Sequence, residues 1–176
     1  MSNAMSRSFR CVQKKTVLFV GEGPCEWAFL KHVVGLFQTR SGSFAAHVEN
    51  AHGGSPEIVL HSTKKLLRQR EYDACVVLMD TDRPWPSSLP KSIGKTRMVY
   101  AKATPCLEGL LLQIVGHGGY AMHTPTDACK HLVYDTYVVQ KHRTEPAAYA
   151  RSFTQELLLK RRGACPALDA ILCELQ

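Results

Sequence analysis

Five carboxylates stand at positions from which a chain can use them together. Asp80 and Asp82 flank Thr81 directly after the apolar run 74–79, Glu22 and Glu26 bracket Gly23-Pro24-Cys25, and Glu108 follows Thr104-Pro105-Cys106-Leu107. Alternate residues of an extended segment project to the same side, so Asp80 and Asp82 can face one ion. Glu26 falls in a first helical turn and points back toward the rim that Glu22 occupies. Crowded carboxylates raise one another's pKa until a cation neutralises them, and an oxygen-only donor set suits Mg²⁺ or Mn²⁺ and not zinc. Such an ion holds and polarises a phosphodiester for attack by water or a hydroxyl, and two ions about 4 Å apart can clamp the attacking and leaving oxygens. Each signal alone has a plainer reading. The helix macrodipole favours a first-turn glutamate, which covers Glu26 by itself and Glu108 equally, and aspartates in loops make local turns. Their joint arrival at the ends of buried strands favours a shared metal site.

The elements that position these groups alternate in type. Residues 16–21 are apolar on both faces and end in Gly, as a buried parallel strand requires. Pro24 suits the first helical position, and Trp27, Leu30, Val33, Val34 and Phe37 recur on one face of a helix running to about Gln38. A second strand over 44–50, a Ser55-capped helix to Arg70, a central strand over 72–79 and a fourth strand over 95–102 follow. Thr104-Pro105 then caps a helix that ends near Gly116 and the Gly118-Gly119 turn. Residues from 126 onward read as two or three helices, the clearest spanning 146–162. This order predicts an α/β three-layer sandwich: a largely parallel sheet of about four strands, helices on both faces and a helical C-terminal third. In such sheets ligands sit at the carboxyl ends of the strands, where Glu22, Asp80 and Asp82 fall.

With 176 residues, 45% hydrophobic and 21% charged, the chain suits one domain and excludes a disordered tail or a coiled-coil rod. No apolar run approaches the ~20 residues of a membrane span, and no secretory signal precedes the domain, so a cytoplasmic location without a membrane partner is expected. Residues 1–4, ahead of Met5, read as an expression-tag remnant, and the domain is expected over 11–176. Seven cysteines without a C-x-x-C pair suggest reduced thiols and no zinc site, and Cys106 reads as a packed thiol. The net charge of +7 is compatible with a phosphate-bearing partner. The basic residues Lys64, Lys65 and Arg68, with Arg83 beside the Asp-x-Asp loop, suit phosphate contacts; the helix dipole explains cations at helix ends equally well. Trp85 can stack on a base or anchor its own loop.

An apolar strand followed by Glu22-Gly23-Pro24-Cys25-Glu26, and a second ending in Asp80-Thr81-Asp82, resemble the Toprim domain of primases, topoisomerases, recombination mediators and OLD-family nucleases. Thr104-Pro105-Cys106-Leu107-Glu108 resembles the Asn-Pro-Cys-Phe-Glu helix start of the RloB-like Toprim proteins, with Thr in place of Asn, and Gly54-Ser55-Pro56 resembles the cap of their second helix. The resemblance covers about 16–115, and implies a core to about 117 with a helical extension over about 126–176. It implies Glu22 as metal ligand or general acid/base, Asp80 and Asp82 as Mg²⁺ ligands, Glu108 completing a catalytic acidic site, and Glu26 supporting it. Lys102, Lys141 and His142 are candidates for a catalytic cation. The implied activity is Mg²⁺- or Mn²⁺-dependent phosphodiester processing of DNA or RNA, tied to phage defence and to a companion protein from the same locus, such as an ATPase. A rival expectation is a Toprim-shaped binding module that recruits a partner without catalysis. A flavodoxin-like nucleotide binder is disfavoured, because Glu22 places a carboxylate where phosphate would sit.

Overall fold

The computed structural model describes residues 14–38, 42 and 44–176; the expected tag remnant at 1–4, the domain start at 11 and Cys11 lie outside the described residues. The pleat of the strands sorts their apolar side chains onto two faces. On β1 (Lys15–Gly21), Val17 and Phe19 face one way, and Leu18 and Val20 the other. On β3 (Ala74–Asp80), which follows β2 (Phe44–Asn50), Ala74, Val76 and Leu78 share the Phe19 face, while Cys75, Val77 and Met79 share the Leu18 face. A sheet apolar on both sides must be covered on both. The helix α1 (Pro24–Phe37) covers the Phe19 face, and α2 (Pro56–Gln69) covers the other with Val59 and Leu60.

Among the described residues, five strands run in the order β2-β1-β3-β5-β4, where β4 is Ser92–Ile93 and β5 is Thr96–Ala103. The pairings of β1 with β2, β1 with β3 and β3 with β5 are parallel, and β4 with β5 is antiparallel. The chain winds outward from β1 to β2 and then returns across β1 to β3, which leaves a crevice at the carboxyl ends of β1 and β3. The expected fourth strand corresponds to β5, and the short β4 is additional. Gly94, at φ +58°, supplies the left-handed residue of the turn joining β4 to β5.

After β5 come α3 (Leu107–Val115), α4 (Gly118–His123), α5 (Thr126–Thr136), α6 (Gln155–Arg161) and α7 (Pro166–Leu172), with short 3₁₀ turns between several of them. Gly116, at φ +103°, closes α3, and the expected Gly118-Gly119 turn is instead the first turn of α4. The continuous helix expected over 146–162 is two pieces: a 3₁₀ turn at Pro146–Tyr149, then α6. Side chains compete here with the helical backbone. The Ser152 hydroxyl donates to the Tyr137 carbonyl at 2.9 Å, and the Thr154 hydroxyl accepts from the Leu157 N–H at 3.3 Å, starting a new helix. Tyr149 and Phe153 turn inward against Phe29.

The C-terminal third shares one hydrophobic cluster with α1, α3 and the Phe19 face of the sheet. The buried Glu174 ties it to the sheet, with Lys15 at 2.8 Å and Arg97 at 2.7 Å. Two glycines separate packing from propensity. A Cβ on Gly21 would lie 2.5 Å from the Trp27 nitrogen, whereas one on Gly35, in the last turn of α1, would meet nothing within 4 Å. Gly21→Ala should therefore cost about 2 kcal/mol or more and Gly35→Ala should add about 0.5–1 kcal/mol. Urea unfolding of the two variants beside the parent checks both signs.

Candidate metal centre

The site begins where β1 runs out. The Glu22 N–H donates to the Leu78 carbonyl at 3.1 Å, continuing the β1–β3 pairing one residue past the strand, and the Glu22 Oε2 accepts the Asp80 N–H at 3.1 Å. The contact of Gly21 with the Glu26 and Trp27 backbone holds the first turn of α1 against the strand end. Pro24 occupies the first turn, and Glu26 reaches back to accept the Gly23 N–H at 2.9 Å, as a helix-capping glutamate does. Capping does not exhaust its role, since Glu26 is only 8% exposed.

The loop after β3 is clamped to the turn before α3. The Thr81 N–H is shared between the Ala103 and Pro105 carbonyls, and the Asp82 N–H donates to Pro105, each at 3.0 Å. A Cβ at Gly109 would overlap the Thr104 carbonyl oxygen, so α3 sits as close to this turn as a helix can. Glu108 therefore enters the site from the first turn of α3, 4% exposed, where its Oε1 accepts the Tyr134 hydroxyl in a short hydrogen bond.

Glu26, Asp80 and Glu108 line one cavity of about 480 Å³. Asp80 shares the pleat face of Val76 and Leu78, and its Oδ1 is buried without a hydrogen-bond partner. Burial, reinforced by Glu26, Glu22, Glu108 and Asp82, pushes the Asp80 carboxyl up to about 9. Burial and the Glu108 and Glu22 charges raise Glu26 to about 7, against the pull of backbone N–H groups. Glu22 is raised by burial, partly offset by its hydrogen bond from Asp80. The Cys25 thiol is pushed up to about 11, chiefly by burial, and is no thiolate nucleophile at neutral pH.

The other expected residues are spread more widely. Asp82 and Arg83 are exposed, and Arg83 donates to the Gly54 carbonyl at 3.2 Å, linking the Asp loop to the start of α2. Lys102 shares the pleat face of Met98 and Tyr100, opposite to that of Asp80, and its ammonium lies 4.9 Å from the Trp85 ring centroid. Trp85 anchors its own loop by donating its indole N–H to the Asp80 carbonyl at 2.7 Å. Lys64, Lys65 and Arg68 are exposed on α2, in that same opposite layer. Lys141 is exposed outside the cavity wall, and His142 pairs with Glu145 at 2.8 Å.

The opposing wall comes from residues that pattern analysis passed over. Asp127, Lys130, His131, Tyr134 and Asp135 of α5 face the cavity, joined by Gln140 and Arg143. Their spacing was the available signal: positions i, i+3, i+4, i+7 and i+8 form one polar stripe on a helix.

Among the described residues, no group of three or more His, Cys, Asp or Glu side chains forms a ready metal cage. Glu26 and Glu108 each commit one carboxylate oxygen, to Gly23 and Tyr134, and the Asp80 Oδ1 is buried with no hydrogen-bond partner. As chemistry, the oxygen donors Asp80, Glu26 and Glu108 suit a hard divalent ion, while Glu22, an expected ligand, does not line the cavity and holds the Asp80 N–H instead. No family model, curated protein or solved structure matches the chain.

Carboxyls raised by folding favour the folded state while protonated; that contribution is present below their ordinary range and is lost as pH rises through about 7 for Glu26 and about 9 for Asp80. Glu174, Asp73 and Asp169 are held below the ordinary range by their partners, and so act only at more acidic pH. Burial lowers the His47 imidazole, which opposes the slope below about pH 6.5, so the metal-free protein should lose stability from about pH 6.5 to about pH 8, and Asp80→Asn should flatten that slope and gain about 1–3 kcal/mol at the upper end. Chemical denaturation in EDTA across that range checks the direction, and stability that climbs with pH contradicts it.

Proposed function

We propose that this protein is a Mg²⁺- or Mn²⁺-dependent, nuclease-like phosphodiester-processing protein of Toprim type, akin to the RloB-like group, acting on nucleic acid. The observation that carries the reading is the Asp80 carboxyl: buried, with Oδ1 unpartnered, in a cavity shared with Glu26 and Glu108 and braced from behind by Glu22. Carboxylates so placed cannot all stay ionised at neutral pH without a compensating cation. The crevice at the carboxyl ends of β1 and β3 is where α/β sheets take their ligands, which supports the same assignment.

Asp80, Glu26 and Glu108 would hold the ion, with Glu22 fixing the Asp80 backbone and with water and substrate phosphate supplying the remaining oxygens, as Mg²⁺ prefers over an all-protein cage. When bound, it polarises the phosphodiester and lowers the pKa of an attacking water. The chain's own residues contribute order and proton handling. Tyr134, by donating to Glu108 Oε1, fixes the orientation of that carboxylate. Glu26, raised to about 7 by burial and its acidic neighbours in the metal-free site, would give up its proton as the ion binds. The Asp82 carboxylate lies in solvent and adds negative potential at Glu22 and Asp80. A setting in phage defence and a companion protein belong to this proposal.

A second reading, the non-catalytic binding module, is favoured by the lack of a ready three-ligand cage among the described residues. Cleavage assays separate the two. With Mn²⁺ and labelled DNA or RNA, Asp80→Asn should lower the rate by at least about 100-fold and Tyr134→Phe by about tenfold. Lys102→Met, on the far face of the sheet, should stay within about twofold of the parent. Metal-dependent cleavage that is absent, or unchanged in Asp80→Asn, leaves the binding module.

A further inference from the structure

The cavity has two chemically distinct sides. Its floor is the carboxylate cluster, and its C-terminal wall carries the cations Lys130 and Arg143. Neither forms an ion pair among the described residues, although Asp127 and Asp135 line the same space. Lys130 makes no hydrogen bond among the described residues and is exposed at the mouth. Other arginines are spent on structure: Arg97 grips Glu174, Arg162 grips Asp169, and Arg161 donates to the Gln113 carbonyl.

Arg143 is held in place by contacts with Gln140, Tyr134 and the Cys25 side chain that leave part of its donor fork unused. One Nη donates to the Gln140 carbonyl at 3.2 Å, and the guanidinium lies 5.9 Å from the Tyr134 ring centroid. Its backbone carbonyl accepts the hydroxyl of Tyr149, a side chain 1% exposed, at 2.8 Å. The guanidinium has five N–H donors in a rigid fork that matches phosphate oxygens, and a fork fixed beforehand loses little entropy on binding. A cavity of about 480 Å³ accommodates a group of nucleotide size.

We infer that Arg143, assisted by Lys130, holds a phosphate group of a nucleic-acid strand against the wall facing Asp80 and Glu108. The inference rests on the reading that this cavity takes a phosphodiester, and it assigns the C-terminal third the task of gripping the strand. It places the strand on this face of the sheet and away from Lys64, Lys65 and Arg68.

Binding in EDTA tests the wall apart from metal and cleavage. The probes are fluorescently labelled single-stranded DNA and RNA oligonucleotides, titrated with the full chain by anisotropy over a salt series; the two arms show which sugar is preferred. Arg143→Met should weaken binding at least about fivefold and reduce the slope of log K against log salt by about 0.7, the release expected for one lost phosphate contact. Lys130→Met, at an exposed position, should act in the same direction. Both variants should stay folded, with the parent's far-UV circular dichroism and a cooperative melt, and a Lys64→Met/Lys65→Met double variant should bind as the parent does. Unchanged affinity and slope in Arg143→Met, no binding of either strand by the parent, or a loss carried by the Lys64/Lys65 variant overturns the inference. If the parent never cleaves yet Arg143→Met shows these shifts, the wall stands and the metal-dependent activity falls.

Discussion

Like charges held together in a poorly solvated place set the terms for the rest of this molecule. Asp80 ends the most buried strand of the sheet, with Glu22, Glu26, Glu108 and Asp82 all acting to keep its proton on, and its Oδ1 has no donor. An uncompensated buried polar atom costs on the order of 1–3 kcal/mol, and a buried charge more. A fold carries that cost stably only when surrounding contacts over-determine the geometry, and groups of this kind cluster at functional sites.

The surrounding contacts do over-determine it. Gly21 lets the start of α1 approach the end of β1, Gly109 does the same for α3 against the Thr104–Pro105 turn, and the Thr81 and Asp82 N–H groups tie the intervening loop to that turn. Three chain segments far apart in sequence thus present their carboxylates within one cavity. The fourth side is built separately, by α5 and the residues up to Arg143, whose position depends on the buried Tyr149. The C-terminal third is consequently part of the site as well as part of the core, to which Glu174 fastens it through Lys15 and Arg97.

The sheet was legible because its signals are local. An apolar run closed by Gly or Asp announces a buried strand wherever it occurs, and Pro24 and Ser55-Pro56 mark helix starts by chain stereochemistry alone. The two-residue β4 carries too few side chains to register as a pattern. The break inside 146–162 depends on Ser152 finding the Tyr137 carbonyl, a partner that exists only once the chain has folded. The acid residues were legible as types at strand ends, but their relative weight was not. Asp-x-Asp spacing suggests equal roles for Asp80 and Asp82, whereas Asp82 lies in solvent and the close approach of α1 at Gly21 brings Glu26 into the cavity with Asp80 instead. Lys102 lies on the opposite pleat face from Asp80, a distinction that follows from register. The cationic wall lay in the polar stripe of α5, which reads equally as a solvated helix face until something stands opposite it.

The central claim is that this carboxylate cluster exchanges its protons for a divalent cation. Calorimetric titration of Mn²⁺ into the metal-free protein near neutral pH, repeated in buffers of different ionisation enthalpy, reports the ion bound and the protons released together. The account predicts saturable binding accompanied by release of about one proton or more, with both lost in Asp80→Asn. Absence of binding, or binding that releases no proton and survives Asp80→Asn, contradicts it.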